Sequence, residues 1–134
     1  MNISGKNMRK GDIYLVEFGK SKDSFSFAKN RPALIFQTDK LNFAVEEEIY
    51  DYFLVMPLST KKDIVTNEFR FPIKARDELK EDSFIVVNSI CFLHKRYFKK
   101  KLTQLTESEI KNIEQILKNV FDMEEIKLGM KAKF

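Results

Sequence analysis

One cysteine, one histidine and no tryptophan occur in 134 residues, with only four glycines and three prolines. A single thiol, Cys91, closes no internal disulfide and cannot by itself hold a cysteine-based zinc site. A single imidazole, His94, excludes any mechanism in which two histidines act as acid and base. No apolar run approaches the roughly 18–20 residues needed to cross a bilayer; the longest, residues 52–58, is short and contains Pro57. Lys10, Asp12, Glu17 and Asp23 interrupt the N-terminal segment, which therefore has no signal-peptide core. Membrane-spanning, disulfide-rich and zinc-ribbon classes drop out. The expectation is one soluble domain over residues 1–134 in a reducing, cytoplasmic compartment.

What is present is enough for a folded core. Hydrophobic residues make up 43% and charged residues 33%, a balance typical of globular chains. Folding at this length removes roughly two-thirds of the extended chain's surface from water. The net charge of +4 is unevenly laid out. Residues 1–45 hold 8 basic and 4 acidic groups, residues 46–90 hold 6 and 10, and residues 91–134 hold 10 and 6. Two readings of that layout stay open: positive charge gathered on one face to meet a polyanion, or a lysine-rich composition without a partner.

Ile13-Tyr14-Leu15-Val16-Glu17-Phe18 is apolar on both faces and predicts a central strand. Residues 19–30 form a polar connection about a dozen long, a length that often signals function. Its Phe25 and Phe27 either pack back or meet a ligand. In the next strand, residues 31–37, Pro32 holds Arg31 in an extended conformation at the junction with the loop. Residues 40–51, with Glu46-Glu47-Glu48, read as a solvated stretch containing at most a helical turn. Residues 52–56 predict a buried strand closed by Pro57-Leu58-Ser59-Thr60, and residues 69–73 an edge strand with one wet face. Residues 83–90 predict a buried strand running on into Cys91-Phe92-Leu93, with Cys91 a buried small hydrophobe. Thr106 and Glu109 form a capping box for a terminal helix, whose apolar stripe is Ile110, Ile113, Leu117, Val120 and Phe121. The sum is an α+β chain: five or six antiparallel strands with a C-terminal helix packed on them.

The order of these segments resembles the MazF/PemK toxins. Lys10-Gly11-Asp12-Ile13, the long loop, and Arg31-Pro32-Ala33-Leu34-Ile35 carry the first part of the likeness. Val55-Met56-Pro57-Leu58-Ser59, Phe71-Pro72-Ile73 and Asp82-Ser83-Phe84-Ile85-Val86-Val87-Asn88 follow in the family's order, and Lys101-Leu102-Thr103-Gln104-Leu105-Thr106 leads into the helix. The likeness covers a core of residues 9–121, leaving a tail at 122–134. It implies an SH3-like antiparallel β-barrel with a C-terminal helix, a homodimer, and the toxin of a toxin–antitoxin pair. The implied activity is metal-independent, sequence-selective cleavage of single-stranded RNA by 2′-hydroxyl attack, and the implied protein partner is a cognate antitoxin with an acidic segment. The family's active-site arginine and Ser/Thr fall on Arg31 and Ser59.

Chemistry supports those positions on its own terms. A guanidinium holds phosphate oxygens bidentately and never serves as a base near neutral pH, so Arg31 is expected to stabilise charge. Ser59 supplies a hydroxyl to the phosphate or to the attacking group, and Thr60 beside it competes for that place. Lys29, Asn30 and Lys61 flank these residues and, with Phe27 as a stacking aromatic, make up the expected RNA contacts. The run Lys95-Arg96-Tyr97-Phe98-Lys99-Lys100-Lys101 is either a single-stranded nucleic-acid surface or a strand edge kept soluble by lysine; Lys95 and Arg96 are its candidate RNA contacts. His94 is expected to be structural or solvated. Two departures from the family matter. Lys29 and Phe27 stand where it often has Gly and Gln, and Ser89-Ile90-Cys91 stands where it has Gln-Ile-Arg, so an RNA-binding guanidinium is missing. That loss keeps open a relative that binds RNA or antitoxin without cutting. A second alternative is a gyrase-poison toxin of the CcdB type, against which the absence of tryptophan counts.

Overall fold

The computed structural model describes residues 7–18, 29–61 and 67–124. Its seven strands are all antiparallel where they pair: β1 (Asp12–Phe18), β2 (Lys29–Ile35), β3 (Tyr52–Ser59), β4 (Arg70–Ile73), β5 (Ser83–Val86), β6 (Cys91–His94) and β7 (Phe98–Gln104). Two helices, α1 (Asp39–Glu46) and α2 (Glu107–Val120), complete the order. The strands run β4-β5-β3-β2-β1-β7, with β6 paired to β3 off that path. The result is a barrel-like coiled sheet with a C-terminal helix, in the α+β class.

Alternation along the central strands creates two cores. In β1, Ile13 and Leu15 point to one side and Tyr14 and Val16 to the other, and both sides are covered. The first core joins Ile13, Leu34, Met56, Leu58, Ile85 and Leu102 to Ile113 of α2. The second gathers Tyr14, Val16, Ile35, Phe53 and Phe98 with Val45 of α1. Buried on both faces, β1 lies between β2 and β7, as its composition predicts.

Three local readings change. Residues 39–46 form a full helix, started by Thr38, whose hydroxyl accepts from the Lys40 N–H. The apolar run 83–93 is not one strand: a 3₁₀ turn, Val87–Ser89, divides it. The reason lies in β3, whose second edge is shared. β6 pairs with Tyr52 through Val55, whereas β5 pairs with Leu58 and Ser59, so the chain must step sideways between them. Cys91, expected to be buried, is exposed on β6, and partial burial of its thiol pushes the pKa up, away from the reactive thiolate.

The capping box of α2 forms as expected: the Glu109 N–H donates to Thr106 Oγ1 at 3.2 Å and the Thr106 N–H to Glu109 Oε1 at 2.8 Å. Ile110, Ile113, Leu117 and Val120 pack on the first core, but Phe121 is the C-cap and is 56% exposed. Gly11, at φ +97°, carries the chain into β1 under this helix; a Cβ there would stand 2.8 Å from Ile110 Cδ1.

Arg76, between β4 and β5, fastens α2 by two bonds to Glu109, at 2.9 and 2.7 Å. Those bonds, with help from the Thr106 N–H and against partial burial, hold the Glu109 carboxyl below its ordinary value of 4.5. A depressed carboxyl stabilises the fold fully above the unfolded value, and the gain disappears as pH falls through the folded value. We therefore expect Glu109→Gln to cost about 1–2 kcal/mol at neutral pH. In urea unfolding below pH 4.5 the gap between the two proteins should close; a gap independent of pH would count against the ion pair.

Candidate active site

The expected site residues are placed by two strand ends. Ala33 pairs with Pro57 in the β2–β3 ladder, so continuing that register by two residues sets Arg31 opposite Ser59. Period-2 alternation puts both on one face. Pro32 stands just past the end of this ladder, where a missing N–H is tolerated. The two residues, 28 positions apart in sequence, thus lie on one face just beyond the last paired residues of the ladder.

A cavity of about 300 Å³ opens there, lined by Lys29, Arg31, Pro32, Leu58, Ser59, Thr60 and Lys61. Three cations and two hydroxyls surround it, and no carboxylate lines it. Arg31 is exposed, and among the described residues its guanidinium has no hydrogen-bond or ion-pair partner. Its donors are therefore available to an anion. Ser59 Oγ accepts the Lys61 N–H at 3.1 Å, a short turn that fixes the hydroxyl and leaves its own proton free to donate. Ser59 shares the Arg31 face, and Thr60, the next residue, lines the same cavity.

Arg70 is a contributor that sequence reading missed. Its Nη1 donates to the Lys61 carbonyl at 2.7 Å, bracing the turn after β3 from the edge strand β4. An arginine opening an edge strand carries no local signal of that role.

The remaining candidates separate. Lys29 and Lys61 join the cavity, whereas Asn30, Lys95 and Arg96 do not line it. Lys95 and Arg96 belong to the 3₁₀ turn Lys95–Tyr97. The Lys95 ammonium pairs with Asp51 at 3.4 Å, and the Arg96 guanidinium lies 5.0 Å over the Tyr97 ring. His94 Nδ1 accepts the Arg96 N–H at 3.1 Å, a structural capping role. Phe27 lies outside the described residues. Among the described residues no group of three or more His, Cys, Asp or Glu side chains could hold a metal ion, and no helix is long and apolar enough to cross a membrane.

A coiled antiparallel sheet backed by a C-terminal helix, with a basic, hydroxyl-lined cavity at the ends of two central strands, defines a small barrel-like domain suited to hold an anion. The sequence pattern of the PemK-like, MazF-like toxins of type II toxin-antitoxin systems matches residues 9–121. The chain belongs to this toxin family. Solved structures agree on the fold. The Mycobacterium tuberculosis toxin MazF-mt6 superposes with a TM-score of 0.67 at 16% identity, over 85% of this chain and 99% of that one. A MazE-MazF structure from Deinococcus radiodurans gives 0.68 at 13% identity, over 87% and 97%. An endoribonuclease in complex with its cognate antitoxin, from a mycobacterial species, gives 0.63 at 16% identity, over 90% and 99%. No curated protein sequence matches the chain significantly.

Proposed function

We propose that this toxin is a cytoplasmic, metal-independent endoribonuclease that cuts single-stranded RNA at selected sequences. The observation that carries the reading is the meeting of Arg31 and Ser59 in one basic cavity. Two of the structural relatives are described as endoribonucleases, one of them bound to its cognate antitoxin.

In the proposed reaction the ribose 2′-oxygen attacks the adjacent phosphorus in line, and the bond to the 5′-oxygen breaks. The 2′-hydroxyl loses its proton and the departing 5′-oxygen gains one, leaving a 2′,3′-cyclic phosphate and a 5′-hydroxyl. Negative charge grows on the non-bridging oxygens at the midpoint. Arg31 meets it with paired N–H donors, Ser59 adds its free hydroxyl proton, and Lys29 and Lys61 lower the potential around it. None of the lining groups is a ready base at neutral pH, so charge stabilisation by Arg31 is the dominant contribution. A basic cleft of this kind also accepts an acidic antitoxin segment in place of RNA, and the relatives' antitoxin complexes support that partner. The active form is proposed to be a homodimer, as the family resemblance implies.

Incubation with single-stranded RNA in EDTA should give fragments ending in 2′,3′-cyclic phosphate and 5′-hydroxyl. Fragments with 5′-phosphate ends, or cleavage abolished by EDTA, would refute the mechanism. A second reading rests on the family resemblance, which implies an arginine at the position held by Cys91, exposed on β6. RNA that binds with steep salt dependence yet stays intact would establish that non-cutting form.

A further inference from the structure

A second cavity, also of about 300 Å³, adjoins the first. The two share Pro32, Leu58 and Thr60 as a common wall. These three residues line both cavities, so the two adjoin at the same strand ends. The interior of the second is apolar, made by Leu15, Leu79 and Leu102. Its rim is charged. Glu78 on the rim is engaged by the Lys100 ammonium at 3.7 Å. Glu81, also on the rim, has no side-chain partner among the described residues. The Glu81 backbone is fixed, because the buried Ser83 hydroxyl donates to its carbonyl at 2.9 Å.

We infer that this cavity holds one nucleobase of the RNA, beside the phosphate held at Arg31, and that Glu81 selects a base carrying an exocyclic amino group. The inference rests on the ribonuclease reading. A nucleobase has flat apolar faces and a polar edge, which is the distribution of the cavity's interior and rim. The volume lies at the small end of the range for small-molecule sites. A carboxylate accepts from the amino group of cytosine, adenine or guanine, whereas uracil presents a carbonyl oxygen or a single ring N–H. The wall shared with the phosphate cavity sets the occupant next to the scissile bond; a free metabolite would have no reason to lie there.

Cleavage of a randomised single-stranded RNA library tests the assignment. The wild-type protein should disfavour uracil about tenfold at one position flanking the cut. Glu81→Gln, whose amide both donates and accepts, should reduce that preference to less than about twofold. An unchanged preference in Glu81→Gln, or no base preference beside the cut in the wild type, overturns the assignment while leaving the nuclease intact. If the wild type leaves all RNA uncut, the nuclease reading fails separately. The same library with 2′-O-methyl groups then decides the pocket by filter binding: discrimination against uracil that Glu81→Gln loses supports it, and binding indifferent to base identity overturns it.

Discussion

Arg31→Ala is expected to lower RNA cleavage by about 10²–10³-fold, the loss found when one pre-positioned charge-stabilising donor is removed from an active site. Arg31→Lys should recover only part of it, because an ammonium supplies charge without the planar pair of donors. Stability should not change in either variant, since Arg31 is exposed and has no hydrogen-bond or ion-pair partner among the described residues. Initial rates on a labelled oligonucleotide, with thermal unfolding of the same preparations, measure both quantities. Full activity in Arg31→Ala would move the chemistry elsewhere. Equal loss of activity and stability would make Arg31 a structural residue.

The largest effect on stability is expected from Phe53→Ala. Phe53 is fully buried in the second core, its ring 4.8 Å from that of Phe98. Truncation removes the transfer free energy of the ring and leaves a cavity, together about 3–5 kcal/mol. Against a total of about 5–15 kcal/mol for an ordinary domain, that is a large share. Urea unfolding should show a lower midpoint with an unchanged slope. Phe92→Ala is the control: its side chain is 65% exposed, and its cost should stay within about 0.5 kcal/mol. A Phe53→Ala cost no larger than that of the control would mean that the second core repacks around the gap.

Legibility followed the range of the interaction concerned. The start of α2 was readable because its capping box lies within four residues, Thr106 to Glu109. The double-faced burial of β1 was readable because alternation is written in consecutive residues. The pairing of Arg31 with Ser59 was not a local signal: it needed the family likeness to suggest it and the β2–β3 register to bring the two together. The break at Val87–Ser89 had no local sign, since the run is apolar throughout; it exists because two short strands share one edge of β3. Cys91 misled for the same reason, an apolar neighbourhood in sequence that became an exposed strand in space. Lys95 and Arg96 were drawn toward RNA by their charge, yet Asp51 and Tyr97 engage them in a turn of their own. The cavity bearing Glu81 could not be foreseen, because its interior comes from β1, β3, β7 and the turn before β5 at once.

The alternation at Leu58-Ser59-Thr60 has an evolutionary consequence. One peptide step separates Ser59, proposed to act in cleavage, from Leu58 in the cavity proposed to read a base, so a single-residue insertion or deletion within β3 would exchange their side chains and forfeit both proposed roles. Substitution on the turn that carries Glu78 and Glu81 touches neither Arg31 nor Ser59. On the proposed roles, target preference is free to diverge among descendants of this toxin along that turn, while the end of β3 is held to its present length.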